Sequence, residues 1–324
     1  MTFATRFFVP ALMLLSQVAP AAAQPYPHKP VRMVVPFAAG GSTDIMSRLS
    51  AQQMSQSDSF GQQVIVDNRP GVSGILGMDI VAKAQPDGYT VLVSSLAITV
   101  NGSLYAKLPF DPVKDFIPVT MVGSNANILV LHPSVPAKSL QEFIAYAKAN
   151  PGKLNFGSGG PGSTPHLGGE QLKSVTGIPA THIPYKGGGQ SVTALLGGEI
   201  QFIVESIPQL LPHVKAGKLR ALGVTDLKRS PLLPELPTLD ESGLKGYEMI
   251  GWNGMFVPAG TPSAIVNQLH AEVVKALAVP SVKERFSTMG ADISGSSPKA
   301  FATFAGQERA KWAKVVKDGN IKVE

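Results

Sequence analysis

Two glycine-rich segments carry polar groups whose types and spacing could do chemistry. The first, Pro36-Phe37-Ala38-Ala39-Gly40-Gly41-Ser42-Thr43-Asp44, follows the apolar run Val31 to Phe37 and precedes Ile45, Met46, Leu49 and Met54, which are spaced as on a helix. A strand that turns through glycine into a helix aims free backbone N–H groups and the positive end of the helix dipole at one spot. That is an anion site for a carboxylate or phosphate. The alternative is a plain turn in which Ser42 or Thr43 caps the helix. The second segment, Gly157-Ser158-Gly159-Gly160-Pro161-Gly162-Ser163-Thr164-Pro165-His166, has the same setting and formally matches G-x-G-x-x-G. A dinucleotide site would want an acidic residue ending the next strand, and Thr181-His182-Ile183-Pro184 has none. What remains is a second amide nest with hydroxyls from Ser158, Ser163 and Thr164, so that two loops could pinch one anionic ligand between them. His166 could donate to that anion, or cap and pack. Glu205 ends the apolar strand Ile200 to Val204, where it could receive a ligand ammonium or hydroxyl, or serve as an N-terminal charge for a helix starting near Ser206. Lys186 reads as a solvated loop lysine rather than an anion contact.

Other chemistry is excluded by what is missing. The 324 residues contain no cysteine, which removes disulfides, thiolate catalysis and cysteine-ligated metals. Gly71-Val72-Ser73-Gly74-Ile75 and Gly40-Gly41-Ser42-Thr43-Asp44 both fail G-x-S-x-G at its last position, and no phosphate loop of the G-x-x-x-x-G-K-[ST] type occurs. The six histidines include no pair three to five residues apart, so no zinc site is expected, and no cofactor. Lys and Arg total 28 against 22 Asp and Glu, without a basic block, which argues against nucleic acid. With 44% hydrophobic and 15% charged residues the chain should fold into a globular body of about two domains.

The elements that must position the loops follow an α/β pattern. Val31 to Phe37, Val64 to Asp67, Thr90 to Ser94, Leu154 to Phe156, Thr181 to Pro184, Ile200 to Val204, Arg220 to Thr225 and Met255 to Pro258 read as strands, mostly as near-continuous apolar runs expected of a parallel sheet buried on both faces. Helices start at a capping box of Ser139 and Glu142, at Thr261 with Pro262 in the first helical position, and at Ser297 with Pro298. Phe116 to His132 holds two extended pieces, Ile117 to Val122 and Ile128 to Leu131, with no helix between, as where chain crosses between domains; a return is expected near Gly243 to Trp252. The expected fold is two α/β lobes with two crossovers and a ligand cleft between them: residues 24–123 plus 246–324, and residues 124–245. Ahead of them, Arg6, the apolar run Phe7 to Val18 and the small residues Ala19 to Ala23 read as a secretory signal peptide, residues 1–23, cleaved before Gln24. No later stretch is long and apolar enough to span a bilayer.

In order, Pro36 to Asp44, Asp67-Asn68-Arg69-Pro70-Gly71, Pro86-Asp87-Gly88-Tyr89-Thr90, Pro184-Tyr185-Lys186-Gly187, Gly217 to Leu222 and Pro237-Thr238 resemble the Bug family, the substrate-binding proteins of tripartite tricarboxylate transporters. The resemblance runs from Gln24 to Glu324. It implies a periplasmic, two-lobed binding protein, monomeric, not an enzyme, that closes over a small carboxylate and delivers it to membrane transporter subunits. Family members hold the carboxylate largely through backbone amides and ordered water in two loops, which map onto the two segments above. The expected contacts are Phe37, Ala39, Gly40, Thr43 and Asp44 from one lobe, with hydroxyls of Ser94 and Ser95 added at a strand end, and Ser158, Gly159, Ser163, Thr164 and His166 from the other. The chain departs from the family at Phe60, at Gly71-Val72-Ser73-Gly74 in place of glycine-alanine-glycine-glycine, and at Glu205 where many relatives have aspartate. The first two lie in structural turns; the third should bear on ligand choice, favouring an ammonium or hydroxyl if it faces the cleft. A periplasmic sensor for a signalling receptor would present the same cleft, and a secreted hydrolase would need a nucleophile and base that the sequence does not display. Dicarboxylates, tricarboxylates, acidic amino acids and aromatic acids all satisfy two amide nests.

Overall fold

The computed structural model describes residues 25–321; the signal-peptide reading lies outside them. Along the chain run β1 (Val31–Val35), α1 (Ser42–Ser55), β2 (Val64–Asn68), α2 (Ile75–Ala82), β3 (Thr90–Ser95), α3 (Ala97–Leu104), β4 (Phe116–Leu131), α4 (Leu140–Ala149), β5 (Asn155–Ser158), α5 (Thr164–Thr176), β6 (Thr181–Pro184) and α6 (Gly188–Leu196). Then come β7 (Phe202–Ser206), α7 (Ile207–Lys215), β8 (Arg220–Val224), β9 (Ile250–Pro258), α8 (Ser263–Ala278), α9 (Pro280–Thr288), β10 (Ala291–Ile293) and α10 (Pro298–Asp318). The strands form one curled mixed sheet in the order β2-β1-β3-β9-β4-β7-β5-β6, with β8 and β10 also paired to β4.

The two extended pieces expected in Phe116 to His132 are one 16-residue strand. Its first part pairs antiparallel with β9, from Phe116 opposite Pro258 to Ala126 opposite Ile250. Its last five residues pair instead with β7, from Asn127 opposite Ser206 to Leu131 opposite Phe202, and with β8. One strand therefore serves two halves of the sheet, and a buried polar knot marks the change. Asn127 N–H donates to Thr225 Oγ1 at 3.1 Å, Thr225 Oγ1 donates to the Met249 carbonyl at 2.6 Å, and Asn127 Nδ2 donates to the same carbonyl at 3.3 Å.

Helices cover both faces. Met46 and Met54 of α1 pack with Leu269 and Val273 of α8 and Phe286 of α9 under one face of the first half. Val192 and Leu195 of α6 pack with Ile207 and Leu210 of α7 under the second half. A third cluster runs through both halves, from Met78 of α2 and Leu92 of β3 to Phe143 of α4, Phe156 of β5 and Trp312 of α10. Close helix-on-sheet contact is why Gly169 carries no side chain: a Cβ there would overlap the Phe156 ring.

Several expected boundaries move for local reasons. β1 stops at Val35 because Pro36 has no N–H to continue the ladder. β5 and β7 run two residues past Phe156 and Val204, carried by their pairing with β6 and β4. β6 is a half-exposed edge strand rather than one buried on both faces. Ser139 caps α4 by accepting from Glu142 N–H at 3.2 Å, but the Glu142 carboxylate reaches Lys138 N–H, one residue before the cap, at 2.7 Å. Pro262 is the N-cap of α8 rather than its first residue, because its ψ of 139° is extended, while Thr261 Oγ1 donates to the Pro258 carbonyl. Ser297 caps α10 as expected, with Pro298 next.

The long α10 is tied to β9 by a single carboxylate. Trp252 Nε1 and Trp312 Nε1 both donate to Glu308 Oε2 at 3.0 Å, and Lys311 Nζ lies 3.3 Å from Oε1. Both indoles are fully buried, so removing the acceptor leaves two unsatisfied donors. Glu308→Ala should lower unfolding free energy by about 2–4 kcal/mol in urea denaturation.

Candidate functional site

In α/β sheets ligands bind beyond the carboxyl ends of the parallel strands. Beyond β1, the first glycine loop enters α1 with Gly41 as N-cap and Gly40 at φ +86°, and no side chain caps the helix. The Ser42 or Thr43 cap considered from sequence is therefore not made. Instead the carboxylate of Asp44, from the first turn of α1, folds back under the loop. It accepts Gly40 N–H at 2.9 Å, Asn68 Nδ2 at 2.9 Å and Arg48 Nε at 3.1 Å. Burial works to raise the Asp44 pKa, but the donors of Arg48, Gly40 and Asn68 outweigh it and hold the carboxyl below its usual range. A fixed negative charge with all its partners inside the protein organises this loop. Thr43 Oγ1 donates to Asn253 Oδ1 at 2.5 Å, which joins α1 to β9. Phe37 is half-buried, its carbonyl accepting from Asn68 Nδ2 at 3.1 Å, whereas Ala39 and Gly40 are exposed. At the end of β3, Ser95 Oγ accepts from Ala97 N–H at 3.3 Å; Ser94 is fully buried and its hydroxyl has no hydrogen-bond partner.

The second loop, beyond β5, is built on two imidazoles in tilted contact. Gly162 N–H donates to His166 Nδ1 at 3.0 Å, which leaves the His166 proton on Nε2. The His166 and His182 rings stand 4.1 Å apart, and His182 in turn lies on Phe156 at 4.9 Å. Burial, with help from Lys173 and, for His166, from His182, pushes their pKa values down to about 3 and about 4. Both are neutral at pH 7, so any pull on an anion here comes from peptide dipoles and hydroxyls rather than imidazolium charge. Ser158 Oγ lies 2.7 Å from His182 Nε2 and accepts Gly160 N–H at 3.1 Å, and Ser163 Oγ donates to the Gly160 carbonyl at 2.7 Å. Thr164, half-buried, opens α5.

Glu205 sits beside this loop at the end of β7, with α7 starting at Ile207. It is 5% exposed, and Oε1 accepts Ser206 N–H at 2.7 Å. Oε2 would lie 2.8 Å from a Cβ on Gly188, the first residue of α6. Gly159 is equally close, since a Cβ on it would stand 3.0 Å from Gly188 N. The N-termini of α6 and α7 thus meet beside Gly159 and Glu205. No lysine, arginine or histidine among the described residues pairs with Glu205, and burial pushes its pKa up to about 7. Among the described residues no group of three acidic or histidine side chains is placed to hold a metal. The surface hollows of about 590 Å³ beside Asp226 to Pro231 and about 600 Å³ beside Glu170 to Ile178 are lined by neither loop.

Residues 46–321 match the model of the tripartite tricarboxylate transporter family receptor. The chain belongs to that family. Among solved structures it is similar to R. palustris Rpa4515 with adipate, at TM-score 0.83 and 36% identity over 92% of this chain and 100% of that one. The periplasmic binding protein BugD superposes at TM-score 0.80 with 35% identity over 92% of this chain and 100% of its own. MatC from Rhodopseudomonas palustris, with bound malate, gives TM-score 0.80 and 32% identity over 90% of this chain and 100% of that one. The receptor's fold is the two-lobed periplasmic-binding-protein type, a curled α/β sheet flanked by helices.

Sequence reasoning missed the groups that hold the loops in place: Asn68, Asn253, His182 and Gly188. His182 had only its place in the strand expected after the loop, Thr181 to Pro184, as a signal. Asn253 had none, being more than 200 residues from Thr43.

Titration separates the buried groups. The unfolded chain binds more protons than the folded imidazoles between pH 6.5 and about 3, so His166 and His182 make stability fall as pH drops through that window. Glu205 has the opposite sign: its raised pKa favours the folded state below 4.5, and that advantage is lost as pH rises to about 7. Glu205→Gln should be more stable than the parent at pH 8 by an amount on the order of 2–3 kcal/mol, with the gain gone below pH 4.5 in denaturation curves.

Proposed function

We propose that this receptor is an extracytoplasmic solute-binding protein that captures a small carboxylate between the two glycine loops and passes it to a tripartite tricarboxylate-type membrane transporter. Residues 1–23 direct export to the periplasm, and residues 24–123 plus 246–324 and residues 124–245 act as the two lobes. The observation that carries the reading is the placement of two glycine-built loops at the carboxyl ends of strands in opposite halves of one sheet. Relatives of the same architecture hold adipate and malate, both carboxylates.

The contacts proposed are the backbone at Phe37, Ala39 and Gly40 and the start of α1 at Thr43, with Asp44 fixing the loop from beneath; Ser94 and Ser95 border it. From the other half come Ser158, Gly159, Ser163, Thr164 and His166, whose Nε2–H is a neutral donor. Dipoles and hydroxyls suit a carrier. They hold an anion in a dry site without a buried ion pair whose separation would cost several kcal/mol at release. Glu205, at the inner edge, selects for ligands that carry an ammonium or hydroxyl besides the carboxylate. The protein works as a monomer, without cofactor and without turnover.

A thermal-shift screen of refolded, ligand-free protein against about a hundred small carboxylates tests this. A ligand at 100 times its Kd adds about 2.7 kcal/mol, several degrees for a chain of this size. No shift with any acid in a folded protein refutes the reading. For an acid that binds, Gly159→Ala should weaken affinity about tenfold, because the new Cβ would press on the backbone of Gly187 and Gly188, 3.0–3.3 Å away. Glu205→Gln should weaken hydroxy and amino acids while leaving adipate unchanged.

A further inference from the structure

Between β2 and α2 the backbone takes positive φ at four successive residues: Gly71 at 142°, Val72 at 46°, Ser73 at 53° and Gly74 at 85°. Two of them are not glycine, and Val72 is β-branched, the least suited type for that region. Val72 is also 59% exposed, so its strain is not offset by burial of its side chain. Such a conformation persists only where surrounding contacts fix it. Here those contacts belong to Ser73. Its Oγ donates to the Pro161 carbonyl at 2.9 Å, 88 residues away in the second glycine loop, and lies 2.8 Å from Tyr105 Oη. With its one proton given to Pro161, Ser73 accepts the Tyr105 hydroxyl proton, so the order is Tyr105 to Ser73 to Pro161. The Ser73 carbonyl accepts Asn101 Nδ2 at 3.2 Å.

The peptide unit that receives this relay is held at both ends. Its carbonyl is bound by Ser73, and its N–H, on Gly162, donates to His166 Nδ1. A side chain at Gly162 would stand 3.1 Å from Leu104, so the two surfaces meet there directly. On its other flank the turn touches the first loop, where a Cβ on Gly74 would stand 3.3 Å from the Phe37 ring. One turn thus contacts both glycine loops.

We infer that Ser73 is a positioning residue: through Pro161 it fixes the second glycine loop against the first and holds the two halves of the protein together before any ligand arrives. Its effect on carboxylate affinity rests on the reading above, but the contact itself does not. The absence of cysteine allows clean labelling of Gln85→Cys and Lys215→Cys, both exposed and in opposite halves. Spin-label distance distributions are then measured without ligand. The parent should give one narrow population. Ser73→Gly and Tyr105→Phe should each shift a substantial fraction to longer, broader separations. Glycine accepts φ of 53° without strain, so Ser73→Gly should broaden the distribution while its thermal midpoint stays level or rises, which a merely destabilising change would not do. Superimposable distributions in all three proteins, a broad parent distribution, or broadening that tracks a falling midpoint would each overturn the inference. Broadening in a protein that binds no acid would uphold it and refute the carboxylate reading.

Discussion

The structure depends on the double pairing of β4. A strand that gives its first part to β9 and its last five residues to β7 and β8 makes the hydrogen-bond ladders of both halves parts of one sheet. Since β9 runs back beside it, the halves are joined by two adjacent backbones, and a relative movement must twist these. The buried amide and hydroxyl of Asn127 and Thr225, both bonded to the Met249 carbonyl, fix the place where the pairing changes. Unpaired, these groups would be costly in the interior, so the crossing is specified rather than merely tolerated.

The glycine loops stand at the carboxyl ends of β1 and β5, in different halves of that sheet. Each loop is organised by a buried polar group bonded to its peptides: Asp44 in one, His166 with His182 against it in the other. These groups spend their hydrogen bonds on loop peptides, so the loops keep their shape with little help from bulky side chains. Asp44 is ionised and the imidazoles are neutral; the positive charges beside these supports are Arg48, itself bound to Asp44 and Asn68, and Lys173, which lies over Phe156. An anion would meet oriented dipoles, whose attraction is short-ranged and directional.

The same economy bears on a serine-histidine enzyme. Ser158 and His182 lie within hydrogen-bond reach, the spacing of a nucleophile and base. Yet Ser158 is fully buried and its hydroxyl already serves Gly160, and no carboxylate orients His182. The pair supports a loop.

Much of the architecture was set by local sequence. Apolar runs broken by glycine and proline gave the α/β alternation, the places of the strands and the two loops, because strand burial and φ > 0 turns constrain residue type directly. Six ordered motifs identified the family before any coordinate. Tertiary structure alone decided how the pieces meet: that residues 116–131 form one strand shared by two halves, that Asp44 bonds Gly40, Arg48 and Asn68, that Asn253 receives Thr43, and that Ser73 reaches Pro161. The Thr43–Asn253 and Ser73–Pro161 contacts join residues 210 and 88 positions apart whose side chains are ordinary in type, and neither periodicity nor spacing carries information about a partner that distant folding brings within 3 Å. Hydroxyls and amides are common in any sequence; only packing determines which of them meet.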